Sequence, residues 1–496
     1  MALHTADTLL ARHPEIARHN LYTAIVCGDL AEVERILEER PEAASQKSPG
    51  DAEDHSRPGE FEDIFKDAPR LSWEPLLYLC FTRLSYPASS DNAIAIARLL
   101  LDRGADPNAY FMAGDSRYTP LVGVIGEGEE NRPRHPKRDE LAKLLMERGA
   151  NPFDMQVTYN THFDDDILWL LELAYEQSVK SGREDAWKDP NWAMFDMGGY
   201  GNGARFMLGG AVDHNNLALA EWMMAHGANP NAAPPARRVN HTDGSAARLS
   251  QRSLYEQAKR KGLTEMAELL RRSGANTTFA RLEGADAFAA ACLRLDHRES
   301  RALLKGHPEY LLAPKPMVLA ALRDQVEAVE LLLELGMSPE IQNPGEGNDR
   351  PLHTAAYAGS LRVAQLLVDR GAEIDPREVR YSATPLWGAV WRNRARMIEL
   401  LRPLSRDVWA LAFIGDVERL REVIGKEPKL AKFAGEFETP LMWLPANEER
   451  AIETAKLFLA NGADASVRNR QGQTAADLAV SRAMDSVAEL LRAAEH

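Results

Sequence analysis

The residues best equipped for chemistry gather between positions 51 and 214. THFDDD places His162 beside Asp164, Asp165 and Asp166, and DAEDHS places His55 beside Asp51, Glu53 and Asp54. Imidazole nitrogen and carboxylate oxygen in one short segment are the ligand types of a divalent-cation site. Neither segment has the regular spacing of a helix-borne HExxH or a calcium-binding loop, so no metal is expected. The DDD run directly precedes the apolar stretch ILWLL, where carboxylates cap a helix and complement its dipole. His214 follows Asp213 in AVDHNNL, a base beside an acid, at a turn where polar residues are ordinary. Gly198, Gly199, Gly201 and Gly203 in MGGYGNGA could let amides approach an anion, but no strand precedes them and no GxxxxGK[ST] is present. No Gx[ST]xG elbow or Cys/His pair stands out, so no catalytic set is assigned and no cofactor is expected.

Aromatic residues carry the second kind of chemistry, recognition. Trp187 and Trp192 lie in DAWKDPNWAMFD, a polar stretch that gives them no helical face of their own. Either they pin an inserted segment onto the body of the protein, or they are anchors for a partner, since tryptophan and tyrosine dominate interface hot spots. The candidate binding set is Tyr159, His162, Trp187, Trp192 and Tyr200. An enzymatic alternative draws on His162, Asp164 and His214. Trp387, Trp391, Trp409 and Trp443 fall in a more regular part of the chain, where packing is the expectation and replacing Trp387 and Trp391 should affect stability first.

The elements that position these residues follow from a repeated unit. PLHTAAYAGSLRVAQLLVDRGAEID, from Pro351, reads as two short helices separated at Gly359, the second carrying Leu361, Val363, Leu366 and Leu367 at helical spacing and closing at Gly371. Such a unit cannot bury its own apolar face. Similar second-helix ends recur as LLLDRGADPN, LLMERGANP, WMMAHGANPN, LLRRSGAN, LLLELGMSPE and LFLANGADAS, and similar starts as TPLVGV, TPLWGA and TPLMWL. A variant sentence runs from Asp29 to Pro41, Asp296 to Pro308 and Asp416 to Pro428 with the same spacing, which implies internal duplication.

The unit resembles an ankyrin repeat, with its Thr-Pro-Leu-His start, central Gly and Leu-Leu…Gly-Ala-Asp finish. The resemblance implies an all-α fold, an ankyrin-repeat solenoid of helix-turn-helix units with finger loops, in about twelve repeats. Residues 1–20 read as an N-terminal cap, 21–283 as repeats bearing long inserted loops, and 284–496 as a more regular stack with a C-terminal cap. Leu269, Leu270, Leu332, Leu333, Leu366 and Leu367 are the expected interlayer core. His353 matches the family's structural histidine, which bonds to neighbouring repeats.

Composition narrows the partners. A formal net charge of −15 argues against nucleic acid and anionic membrane, both of which need clustered cations. The acidic stretch 51–67 favours a basic partner. Cys27, Cys80 and Cys292 lie far apart in helical patterns and read as buried thiols. No apolar run reaches a membrane span, and Asp7 and His13 interrupt any leader-like N-terminus, so the cytoplasm is the expected location. The resemblance implies a non-catalytic binding protein that takes a protein or peptide on its concave and finger face. The alternative is an enzyme or small-ligand receptor whose pocket is formed by the inserted loops of the N-terminal half.

Overall fold

The computed structural model describes the chain apart from residues 1–9, 50–71, 85, 114–115, 127, 129–132, 162–166, 196, 198–200, 235–238, 241–245, 248–251, 279–280, 433–437, 483 and 496. The described residues are mostly helical, and their strands form two small antiparallel pairs, Phe111–Ala113 with Ser116–Tyr118 and Val239–Asn240 with Ala246–Ala247.

Local chemistry explains why the helices begin and end where they do. Thr119, Thr384 and Thr474 each accept a hydrogen bond from the amide three residues on, at 3.3, 3.2 and 3.3 Å. Each satisfies a donor that the first helical turn leaves orphaned, and Pro120 and Pro385 follow where a missing N–H costs nothing. Asp29, Asp296 and Asp416 cap the second helices Leu30–Glu39, His297–Gly306 and Val417–Lys426 in the same way, and each of these helices runs into a 3-10 turn begun by Pro41, Pro308 or Pro428. The threefold spacing in the sequence is therefore one structural sentence used three times.

The chain divides into two compact units, Met1–Tyr255 with Glu268–Asn276, and Glu256–Ala267 with Thr277–His496. In the first, the helices Leu21–Cys27, Pro75–Phe81, Pro120–Ile125 and Met155–Thr161 pack side by side in chain order. A second row, Leu30–Glu39, Ala93–Asp102, Arg138–Glu147 and Leu168–Lys180, does the same behind it. The 3-10 turn Pro14–Arg18 lies against Leu21–Cys27. Asn108 ties successive layers together: its side chain donates to the Gly149 carbonyl at 2.9 Å and accepts from the Asn151 amide at 2.8 Å. Asn231 repeats the arrangement with Gly274 and Asn276.

The second unit has the same two-row construction. Gly284–Leu293, Lys315–Leu322, Pro351–Ala358, Pro385–Trp391 and Val408–Ile414 form its front row, with Val326–Glu334, Leu361–Asp369 and Ala395–Leu401 among those behind. One continuous apolar core runs from Phe288 to Leu491. Leu269, Leu270, Leu332 and Leu367 are buried, while Leu333 and Leu366 are partly buried against that core, so the interlayer assignment of these leucines holds. His353 bridges layers as its motif implies: Nδ1 accepts from the Arg350 amide at 3.2 Å, and Nε2 faces the Pro376 and Ala383 carbonyls at 3.0 and 3.2 Å. Cys27, Cys80 and Cys292 are buried free thiols, and burial pushes Cys292 up to about 12.

Candidate functional site

The segment expected to carry function folds inward. Trp187 lies at the hub of an aromatic cluster, with ring centroids 5.1 Å from Trp192, 5.4 Å from Tyr175, 5.7 Å from Trp222 and 5.9 Å from both Phe153 and Phe195. Its backbone carbonyl sits where a side chain at Gly227 would be: a Cβ there would fall 2.4 Å from that oxygen, and Gly227 has φ +98°. Gly203 is equally constrained by Phe195 and the Trp192 carbonyl. Backbone bonds from Ala204 to Asn191 (3.1 Å) and from Asn229 to Pro190 (2.9 Å) stitch the loop to the helices beside it.

Trp187 and Trp192 are 2% and 0% exposed, which corrects their assignment as anchors for a partner. Of the two readings, pinning is the one the geometry matches. The physical reason is that a polar loop with no periodicity can still hide its aromatics if they converge on rings from distant helices. Tyr159 is half-buried on Met155–Thr161. His214 ends the helix Gly203–His214, exposed, away from Tyr159 in sequence and with no side-chain hydrogen bond among the described residues. His162, Asp164 and Tyr200 lie outside the described residues, as do His55 and the acidic stretch 51–67. Among the described residues, no group of three His, Cys, Asp or Glu side chains could hold a metal ion.

Among the described residues, the most exposed aromatic side chains lie on the regular repeats. Leu322, Tyr357 and Trp391 stand at one position in three consecutive front-row helices, each two residues before a left-handed residue, Asp324, Gly359 or Asn393. All three are exposed, Trp391 to 64%. The Arg392 guanidinium lies 4.9 Å from the centre of the Tyr357 ring. Trp387, one turn before Trp391, packs edge-on against Phe413 at 5.5 Å and Trp443 at 5.3 Å. The pairing of Trp387 and Trp391 as packing residues therefore splits: Trp387 is half-buried, whereas Trp391 projects into solvent.

The loop before Pro385 carries further exposed residues of the same repeats. Glu378 is buried and accepts from the Tyr381 amide at 2.6 Å and the Ala383 amide at 2.9 Å, while His353 holds Pro376 and Ala383 from below. Val379 also donates its amide to Gly347 at 2.7 Å. A loop fixed at both ends in this way presents Val379 and Tyr381 outward, and both are strongly exposed. Burial lowers the His353 pKa, opposed by its bonds to the Ala383 and Pro376 carbonyls, so the imidazole that holds the loop is favoured neutral.

A cleft of about 530 Å³ opens in the first unit, lined by residues that include Asn108, Arg117, Asp154, Met155 and Arg183. Asp154 accepts from Thr119 Oγ1 at 2.7 Å and from the Gln156 and Val157 amides at 2.9 and 3.2 Å. Burial raises its pKa, and the Thr119 hydroxyl, these two amides and Arg117 oppose the rise. Neither Arg117 nor Arg183 makes an ion pair among the described residues. Sequence reasoning did not reach this cleft. Its signal was the Asn of GADPN and GANP, which marks where successive layers join.

Comparison with protein-family models matches three ankyrin repeats, at residues 317–411. Ankyrin repeats generally mediate protein–protein interaction, and the matched span contains Leu322, Tyr357, Tyr381 and Trp391. Comparison with curated proteins gives no match. Among solved structures, a partial likeness covers 42% of this chain and 99% of a chain in the complex of the Bd0816 predatory endopeptidase from Bdellovibrio bacteriovorus with immunity protein Bd3460, at 19% identity and a TM-score of 0.27. Agreement that low supports no argument. Among the described residues, no helix is long and apolar enough to cross a membrane.

Proposed function

We propose that the protein is a non-catalytic ankyrin-repeat binding protein that captures a protein or peptide on the exposed aromatic face of its second unit. The observation that carries this reading is Trp391, a tryptophan 64% exposed within the matched repeats and in line with Tyr357 and Leu322. Large aromatics and arginine are the residues that dominate interface energetics, and a loop already held by Glu378 and His353 loses little entropy on binding. Under this reading the helix pairs outside residues 317–411 are divergent copies of the same unit, about twelve in all. The inserted segment from Tyr159 to Tyr200 then supports the first unit, and the acidic stretch 51–67 favours a basic partner. The setting we propose is the cytoplasm, a choice supported by three buried free thiols.

The test is a double variant, Tyr381→Ser with Trp391→Ser, compared with the unmodified protein by quantitative co-purification from the source lysate and by thermal melt. The expected outcome is loss of a discrete set of co-purifying proteins with the melting temperature unchanged. Retention of the same set by the variant would remove this face from the account.

A further inference from the structure

The cleft of the first unit presents two guanidiniums inside a protein whose net charge is −15, and neither makes an ion pair among the described residues. Arg117 lies 3.8 Å from the centre of the Tyr110 ring and donates to the Asn108 carbonyl at a long 3.3 Å. Arg183 lies 5.1 Å from the Phe153 ring and reaches Ser181 and Asn151 only at 3.5 Å each. A guanidinium carries five N–H donors, so each arginine is oriented by a ring and keeps donors to spend. Among the described lining residues the one carboxylate, Asp154, is turned to Thr119 and to the amides of Gln156 and Val157. It feels the charge of Arg117 but makes no ion pair with either arginine among the described residues.

The lining beside the arginines is mixed: Asn108, Thr119, Asn151 and Gln156 are polar, and Phe153 and Met155 supply the apolar surface. Met112 stands directly opposite Arg117 across the two-stranded ribbon, which puts the two side chains on one face, and it is exposed. Met155 lines the cleft and is also exposed, and an unbranched thioether adapts to varied apolar shapes. Paired guanidiniums flanked by methionine match a carboxylate with apolar neighbours. We propose that this cleft binds an acidic peptide segment, its carboxylate gripped by Arg117 and Arg183 and its adjoining apolar side chains laid on Met112 and Met155. The site lies in the first unit and draws on none of the residues named for the aromatic face of the second, so either proposal can fail alone.

Binding is measured on the full chain by fluorescence anisotropy with a labelled hexapeptide alternating glutamate and leucine, and with the same peptide carrying glutamine. The expected result is at least tenfold tighter binding of the glutamate peptide, lost in Arg117→Gln/Arg183→Gln. Equal binding of the two peptides, or no binding of either, would overturn the proposal, and this comparison needs no variant to fold. Undiminished binding by the arginine variant would overturn it as well. Displacement of the peptide by inorganic phosphate at the same concentration would assign the cleft to free anions instead of peptide.

Discussion

Two tryptophans, one in each compact unit, show how the inserted segment and the regular repeats differ. Trp192 sits in an aperiodic polar loop and is fully buried; Trp391 sits on a regular helix and is mostly exposed. Trp192 even holds a left-handed backbone, φ +50°, which costs a non-glycine residue about 1–2 kcal/mol. Burying an indole of 150–250 Å² is worth about 4–6 kcal/mol at 25 cal/mol/Å², so burial wins over strain. On the repeat, the backbone is relaxed and the helix already has an apolar side facing its neighbours. Trp391 is not needed for the core, and its exposure calls for an explanation outside the fold. The insertion turns Trp187, Trp192 and Phe195 inward, and the repeat turns some of its own aromatics outward.

The largest expected effect breaks the comparison on the buried side. Trp192→Ala should destabilise the first unit by about 3–5 kcal/mol, read by urea denaturation, because it leaves a cavity among Trp187, Phe195 and the backbone at Gly203. Trp391→Ser should move stability by no more than about 0.5 kcal/mol. Equal costs for the two would erase the distinction.

A smaller effect concerns another inserted stretch of the first unit. His135 is buried, accepts from the Lys137 amide at 3.0 Å, and lies in the loop that Arg83 clamps through the Pro133 carbonyl. Burial, then Arg83 and Lys137, lower its pKa from the ordinary histidine value of 6.5 to about 4. The unfolded chain therefore takes up a proton near pH 6.5 that the folded chain refuses until about pH 4. The stabilising contribution is complete above pH 6.5 and is lost as pH falls through that window, on the order of 3 kcal/mol in all. Melts at pH 7.5 and 4.5 should show this loss, and a His135→Phe variant should flatten it.

The repeat was legible because its signals are local: Thr-Pro starts at Thr119 and Thr384, Asp caps and glycine stops each act within one turn of helix, whereas Thr439 makes no cap and opens only a 3-10 turn. His353 was legible for the same reason, its partners being set by the motif. Burial in the insertion was not, because the rings around Trp187 come from Phe153, Tyr175 and Trp222, which no spacing rule connects. Trp391 was misread in the opposite sense. It follows Trp387 at i, i+4, and that spacing places two residues on one face without saying whether the face meets the core or solvent. Arg117 and Arg183 are brought to one cleft only by the stacking of layers. Site residues drawn from composition alone therefore leaned toward the loops.

The most direct test of the outward-facing repeat is site-specific photocrosslinking in the source cells. A benzoylphenylalanine placed at Tyr381 or Trp391 is compared with one at Arg362, on the back-row helix Leu361–Asp369. The account predicts a discrete adduct of one molecular mass from positions 381 and 391 and none from 362. Absence of an adduct at both positions, or the same adduct from all three, would contradict it.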